Sequence, residues 1–164
     1  MDAEIKQRVY DKLDELNISY TVDEHEAIFT IEELDKKGMY KKGEICKNLF
    51  LRDGSGKRHF LLVAPGHKEV DLKSVRAQIG SSRLSFGSAE RLMNCLGLTQ
   101  GSVSPFGVLN DKDCRVEIVF DKDLKDMDIL GFHPNINTAT VWLGFNDLLR
   151  VIEDNGNTVC YVEL

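Results

Sequence analysis

Ile45-Cys46-Lys47-Asn48-Leu49-Phe50-Leu51 and His59-Phe60-Leu61-Leu62-Val63-Ala64, joined through Asp53-Gly54-Ser55-Gly56, are two apolar, β-rich runs around a turn-forming tetrad, and they read as a β-hairpin. Downstream, Asp71 opens a helix carrying Leu72, Val75 and Ile79, residues 84–87 form a short extended piece, and Ser88 caps a helix that ends at Gly97. Upstream, Ile5, Val9, Leu13 and Leu16 form a helical stripe over residues 2–17, and residues 18–22 read as a strand. Thr30-Ile31-Glu32-Glu33 has the capping-box pattern and predicts a short helix that stops near Gly38. Toward the C-terminus, strands are expected at residues 114–120, 138–143 and 158–162, with a helix opened by Asn146 and closed by Asn155-Gly156. Helices and strands mix without regular β-α-β alternation, internal repeat or low-complexity linker, which argues for one α+β domain with a mixed sheet.

Composition bounds the function classes. At 164 residues the chain is long enough for a real core. It has no apolar run near the roughly 18–20 residues of a membrane span. Its acidic, amphipathic start is unlike a secretory signal, so the expected compartment is the cytoplasm, with no membrane partner. Cys46, Cys95, Cys114 and Cys160 are scattered and show no zinc-type spacing with His25, His59, His67 or His133, so no metal is expected and the thiols read as reduced and mostly buried. The net charge of −6 is uneven: residues 36–91 carry 13 Lys and Arg against 5 Asp and Glu, a net +8, and the remainder sums to −14. A basic middle in an acidic chain suits either a solvated surface or a face for a polyanion.

Three places stand out as chemistry. Lys47 is a lysine inside an apolar strand, followed by the polar Asn48; it either faces solvent or projects an ammonium into a cleft. The stretch Leu98-Thr99-Gln100-Gly101-Ser102-Val103-Ser104-Pro105-Phe106-Gly107-Val108-Leu109-Asn110 sets Gly101 and Gly107 about a proline, and the N–H groups of Ser102, Val103 and Ser104 have no evident helix or strand to join. It reads as a buried turn or as a loop offering N–H donors to a ligand. His133-Pro134-Asn135 should be extended at the histidine and then turn into a loop. The sequence contains no nucleophile elbow, Walker loop, dinucleotide fingerprint or His-Glu-x-x-His helix, and no cofactor is expected.

Taken in order, Cys46-Lys47-Asn48-Leu49-Phe50-Leu51, Ser85-Phe86-Gly87-Ser88-Ala89-Glu90-Arg91-Leu92, the Gly-x-x-x-Pro of Gly101 to Pro105, and Gly131-Phe132-His133-Pro134-Asn135 resemble the YbaK/ProX family of aminoacyl-tRNA deacylases, which includes the editing insertion domain of bacterial prolyl-tRNA synthetases. The resemblance runs nearly the whole length and lies closer to the ProX (PrdX) branch than to the cysteinyl YbaK branch. It implies a single editing domain over residues 1–164, with a mixed, barrel-like sheet of about six strands surrounded by helices. It also implies hydrolysis of the ester of mischarged tRNA(Pro), most simply alanyl-tRNA(Pro), with the tRNA acceptor end as partner and prolyl-tRNA synthetase as a second one. Lys47 and His133 would take the catalytic positions, and Asn48, Gly101, Ser102, Val103, Ser104, Pro105 and Asn135 would bind substrate. The loop N–H groups suit a developing oxyanion, and a pocket sized for alanine excludes proline by clash. Cysteinyl-tRNA(Pro) deacylation and a non-catalytic tRNA-binding module remain the alternatives.

Overall fold

The hairpin forms as its sequence dictates. In the computed structural model, which describes residues 1–27 and 42–164, strand β2 (Glu44–Arg52) pairs antiparallel with β3 (His59–Pro65) from Cys46 opposite Pro65 to Arg52 opposite His59. The Asp53 carboxylate holds the turn by accepting from the Ser55 hydroxyl and the Arg58 N–H, and Gly56 takes the positive φ of 74° that the tight reversal requires. The helix expected from Thr30 lies outside the described residues.

Every residue of β3 is buried, because both faces of the sheet are covered. Leu61 and Val63 enter the larger core with Val9 and Leu13 of α1 (Asp2–Glu15), Leu92 and Leu96 of α3 (Ala89–Leu96), and Leu148 and Ile152 of α4 (Phe145–Asn155). Phe60 and Leu62 point the other way, into a smaller cluster with Leu51, Leu84 and Val75 of α2 (Leu72–Ile79). Asp71 and Ser88 cap α2 and α3 as expected, and Gly80 and Gly97 end them in the left-handed conformation.

From this centre the sheet grows on both sides. β3 pairs parallel with β5 (Val116–Asp121), and β5 pairs parallel with β8 (Val159–Val162). On the other side β2 pairs parallel with β6 (Leu130–Phe132), followed antiparallel by β7 (Ala139–Leu143) and β1 (Thr21–Glu24). The two-residue β4 (Ser85–Phe86) also joins β2. Among the described residues the result is a mixed α+β sheet of eight strands with edges at β1 and β8, open where a barrel-like sheet of about six strands is expected from sequence. The added strands are β4, which arises from the short extended piece, and β6. β6 is three residues long, wholly buried and centred on Gly131, so it carries no alternation to read. That glycine is required, since a Cβ there would come within 2.7 Å of the Trp142 ring.

Other boundaries move for local reasons. β1 starts at Thr21 because the Ile18 N–H still closes α1 onto the Leu13 carbonyl and Asn17 adopts φ 56°. The last helix starts at Phe145 with Gly144 at its N-cap, just ahead of the Asn146 expected. Cys46 and Cys95 are buried free thiols, whereas Cys114 and Cys160 are half-buried. Among the described residues no helix is long and apolar enough to cross a membrane.

One buried carboxylate ties the segment at 105–110 to the sheet. Asp111, only 3 % exposed, accepts from the Arg115 and Val116 N–H groups and from Asn157 Nδ2, each at 2.9 Å. Asp111→Ala strands the buried Val116 N–H, frees the part-buried Arg115 N–H and takes one of two acceptors from Asn157 Nδ2, and is expected to cost about 2 kcal/mol in urea denaturation; a loss below about 0.5 kcal/mol would show that the network does not hold the segment.

Candidate active site

The stretch at 98–110 is two tight turns. A 3-10 turn at Gln100–Ser102 is followed by a 3-10 helix, Pro105–Asn110, with Pro105 at its start, where the missing N–H costs nothing. Its ends are clamped, since Asn110 Nδ2 donates to the Leu96 carbonyl at the end of α3 and Asn110 Oδ1 accepts from Arg8. Gly107 is packed so closely on Leu98 and Leu96 that a Cβ would come within 2.7 Å of Leu98.

Ser104 joins this stretch to the histidine loop. Its fully buried hydroxyl donates to the His133 carbonyl at 2.6 Å and accepts from the Phe106 N–H. Asn135, at φ 65°, donates from Nδ2 to the Phe106 carbonyl at 3.2 Å. Ser104, Pro105, His133 and Asn135 are thereby held as one unit. Of the three expected free N–H groups, that of Ser102 is not free, because it closes the 3-10 turn onto the Thr99 carbonyl at 3.0 Å. Those of Val103 and Ser104 meet no backbone acceptor among the described residues.

His133 is fixed in one protonation pattern. Its Nδ1 lies 3.0 Å from the Ala139 carbonyl, which only accepts, so Nδ1 carries the proton and Nε2 of the neutral ring presents a lone pair. Burial pushes the ring below the ordinary histidine value; the Ala139 carbonyl opposes this, and the neighbouring His25 adds to it. His25, whose ring centroid is 6.3 Å away, bonds Thr140 Oγ1 through Nε2 and the Glu26 carbonyl through Nδ1. From sequence, His25 enters only as one of the histidines without zinc-type spacing to the cysteines. Its place beside His133 follows from β1 pairing with β7, which local sequence does not reveal.

Lys47 and Asn48 sit on β2 next to β6. The parallel ladder ends where Ile45 lies beside Gly131, two residues before Lys47 on β2 and two before His133, which follows the end of β6. Asn48 faces the opposite side, with Cys46 and Phe50 in the larger core, so the structure separates two residues that sequence proximity groups. The Oδ1 atoms of Asn48 and Asn135 are both buried without a hydrogen-bond partner, as two open acceptors. Gly101 and Val103 are half-buried at the loop's outer turn.

The local chemistry selects against a protein nucleophile. Ser104 has its donor and an acceptor site committed, and burial holds the Cys46 thiol well above its ordinary value. What remains is a neutral imidazole lone pair, an ammonium, two free N–H groups and unfilled amide oxygens, a set suited to attack by water on an ester whose oxygen develops charge.

Residues 25–151 match the family model for the aminoacyl-tRNA editing domain. The chain is 49 % identical, over the full length of both, to the prolyl-tRNA editing protein ProX of Acetoanaerobium sticklandii. It is 30 % identical over 159 residues (94 % of this chain and 92 % of the other) to prolyl-tRNA synthetase associated domain-containing protein 1 of Bos taurus. The crystal structure of "a putative trans-editing enzyme for prolyl tRNA synthetase" superposes with a TM-score of 0.73 over 98 % of this chain and 97 % of that one; at 20 % identity this speaks to the fold alone. The chain belongs to the aminoacyl-tRNA editing domain family, and its activity is that of an aminoacyl-tRNA deacylase.

Proposed function

We propose that residues 1–164 act as one trans-editing domain that hydrolyses mischarged tRNA(Pro), with alanyl-tRNA(Pro) as the preferred substrate, in the cytoplasm and alongside prolyl-tRNA synthetase. The observation that carries this reading is the Ser104–His133 hydrogen bond. It ties the backbone of the residue that carries the neutral imidazole to a loop whose Val103 and Ser104 N–H groups meet no backbone acceptor among the described residues. The 49 % identity to a protein named for prolyl-tRNA editing supports tRNA(Pro) as the carrier.

In this reading water adds to the ester carbonyl carbon, the C–O bond to the terminal ribose breaks, and the proton passes to the leaving ribose oxygen. The free amino acid and intact tRNA result. The N–H groups of Val103 and Ser104 stabilise the oxyanion, and Lys47 holds the terminal phosphate or ribose. A neighbouring ribose hydroxyl activates the water, and His133 Nε2 orients the substrate or carries a proton. Asn135 offers its open oxygen to donors on the aminoacyl group or ribose. A small pocket admits alanine and excludes proline by clash, whereas the neighbouring small amino acids differ by only about 1–3 kcal/mol.

Release of alanine from alanyl-tRNA(Pro), with prolyl- and cysteinyl-tRNA(Pro) in parallel, is the direct test. Alanine is expected to be lost selectively, with Lys47→Ala and His133→Ala each slowing hydrolysis by about 10²-fold or more. Faster loss of cysteine would reassign the substrate, full activity in Lys47→Ala would remove its role, and hydrolysis of a tRNA lacking the adjacent ribose hydroxyl would exclude activation by that group.

The state of His133 makes a second expectation. Nitrogen NMR should find the Nδ1–H tautomer with a midpoint below the ordinary value near 6.5. Because the folded ring resists protonation, its contribution to stability is full above that value and shrinks as pH falls and the unfolded chain takes up the proton first. A midpoint at or above 6.5 would contradict this assignment.

A further inference from the structure

At the far end of β2 lies a cavity of about 370 Å³ between the β2–β3 turn, the start of α3 and the residue preceding β5. Its polar lining is His59, Ser88, Glu90, Arg91, Asn94 and Arg115. Arg52 closes in from the turn: a Cβ on Gly56 would lie 2.9 Å from Nη2 of both Arg52 and Arg91, so these two guanidinium groups flank the backbone there. Arg91 Nη1 donates to the Gly56 carbonyl and to His59 Nε2, Arg115 Nη2 to Cys95 Sγ, and Arg52 to the Asp53 and Gly54 carbonyls.

Among the described residues none of these three arginines has a carboxylate within ion-pairing distance, whereas Arg58, on the same hairpin, is bound by both oxygens of Glu117 at 2.9 Å. The nearby Asp53 carboxylate is spent on the turn itself. Burial first, and then Arg91, Arg115 and Arg52, push His59 below its ordinary value, with Asp53 opposing. His59 stays neutral and accepts from Arg91, so the charge of the cavity is set by the Arg91 and Arg115 guanidinium groups, with Arg52 beside them, against the one carboxylate of Glu90.

A second cavity of about 250 Å³, lined by Lys73, Arg76 and Arg83 over Leu72 and Leu84, includes the residue next to Ser82, whose Oγ accepts from the Gly54 N–H of the same turn. One small anion would satisfy one cavity. Two cationic cavities joined through one turn fit a chain of anions, and the guanidinium fork matches phosphate oxygens.

We propose that this face, centred on Arg52, Arg91 and Arg115 and continued by Lys73, Arg76 and Arg83, binds the phosphodiester backbone of the RNA substrate away from the reacting ester. The proposal rests on the reading of the substrate as a charged tRNA. Arg52 is five residues along β2 from Lys47, roughly 17 Å at about 3.3 Å per residue, so the face contacts nucleic acid remote from the aminoacyl group.

The test measures binding of uncharged tRNA(Pro), which carries no ester, alongside hydrolysis of alanyl-tRNA(Pro) and of the alanyl ester of adenosine, which has no phosphate. Arg52→Ala/Arg115→Gln and Arg91→Ala/Arg115→Ala are compared with the charge-retaining Arg115→Lys. Kd and KM for the tRNA should rise about tenfold, while kcat and hydrolysis of the adenosine ester should not move. The logarithmic salt slope of binding should fall by about one for each phosphate that the variant no longer neutralises. Arg115→Lys should retain most of the affinity. Unchanged binding and salt slope in folded variants would overturn the proposal, as would inorganic phosphate binding at the arginines that tRNA does not displace. Absence of ester hydrolysis in the parent protein would overturn the editing reading, while the binding of uncharged tRNA still decides the role of this face.

Discussion

The edge of β2 that faces away from β3 is divided between two strands, and this division organises the molecule. β6 occupies it in parallel beside Glu44 and Ile45, and β4 occupies it antiparallel beside Leu51 and Arg52. Between them, residues 46–49 have no strand partner on that edge among the described residues. A sheet that stayed continuous would spend those backbone groups on a neighbour. Here they are left without a strand neighbour among the described residues, beside the end of β6 that leads into His133. Openings where neighbouring strands part are where mixed sheets expose backbone and side chains to a ligand without exposing their core.

The loops around the gap are rigid for reasons that can be traced atom by atom. Ser104 bridges the His133 carbonyl and the Phe106 N–H, Asn135 bonds the Phe106 carbonyl, and Asp111 anchors the start of β5. The bonds to the Phe106 N–H, the Phe106 carbonyl and the Val116 N–H are buried, so breaking one leaves a group without water to replace it. The same burial that makes the loops rigid also keeps His133 neutral. Position and protonation state are therefore two consequences of one packing arrangement, and neither changes without the other.

Much of this was legible in the chain. The hairpin, the caps at Asp71 and Ser88, and the terminating glycines at 80 and 97 are local features, and local features are what sequence reports. The prominence of residues 98–110 was likewise visible, because Gly, Pro and Ser in that order admit few backbone conformations. Two things were hidden. β6 has only three residues and depends on the Trp142 ring lying over Gly131, a contact between strands. The Ser102 N–H looked free because a 3-10 turn closes over too few residues to leave a periodic pattern. Nor did the sequence separate Lys47 from Asn48, although strand alternation alone puts adjacent side chains on opposite faces. The basic middle was legible as a sum, but which of its charges remain unpaired depends on where Glu117 and Asp121 fall in the fold.

That last distinction explains how an acidic protein can present a cationic face without disturbing its own chemistry. Arg58 and Lys68 are neutralised by Glu117 and by Asp121 with Asp123, leaving the unpaired guanidinium groups collected at one end of the sheet. Placed beside the ester, they would make protonation of His133 still less favourable and compete with Lys47 for the same oxygens. Arg52 lies roughly 17 Å along the strand from Lys47, about twice the screening length of physiological salt. The strand that holds the two regions in one rigid body also keeps them electrostatically apart. Affinity for a polyanion and the protonation state of the histidine are thus set by different residues, and selection can tune either one alone.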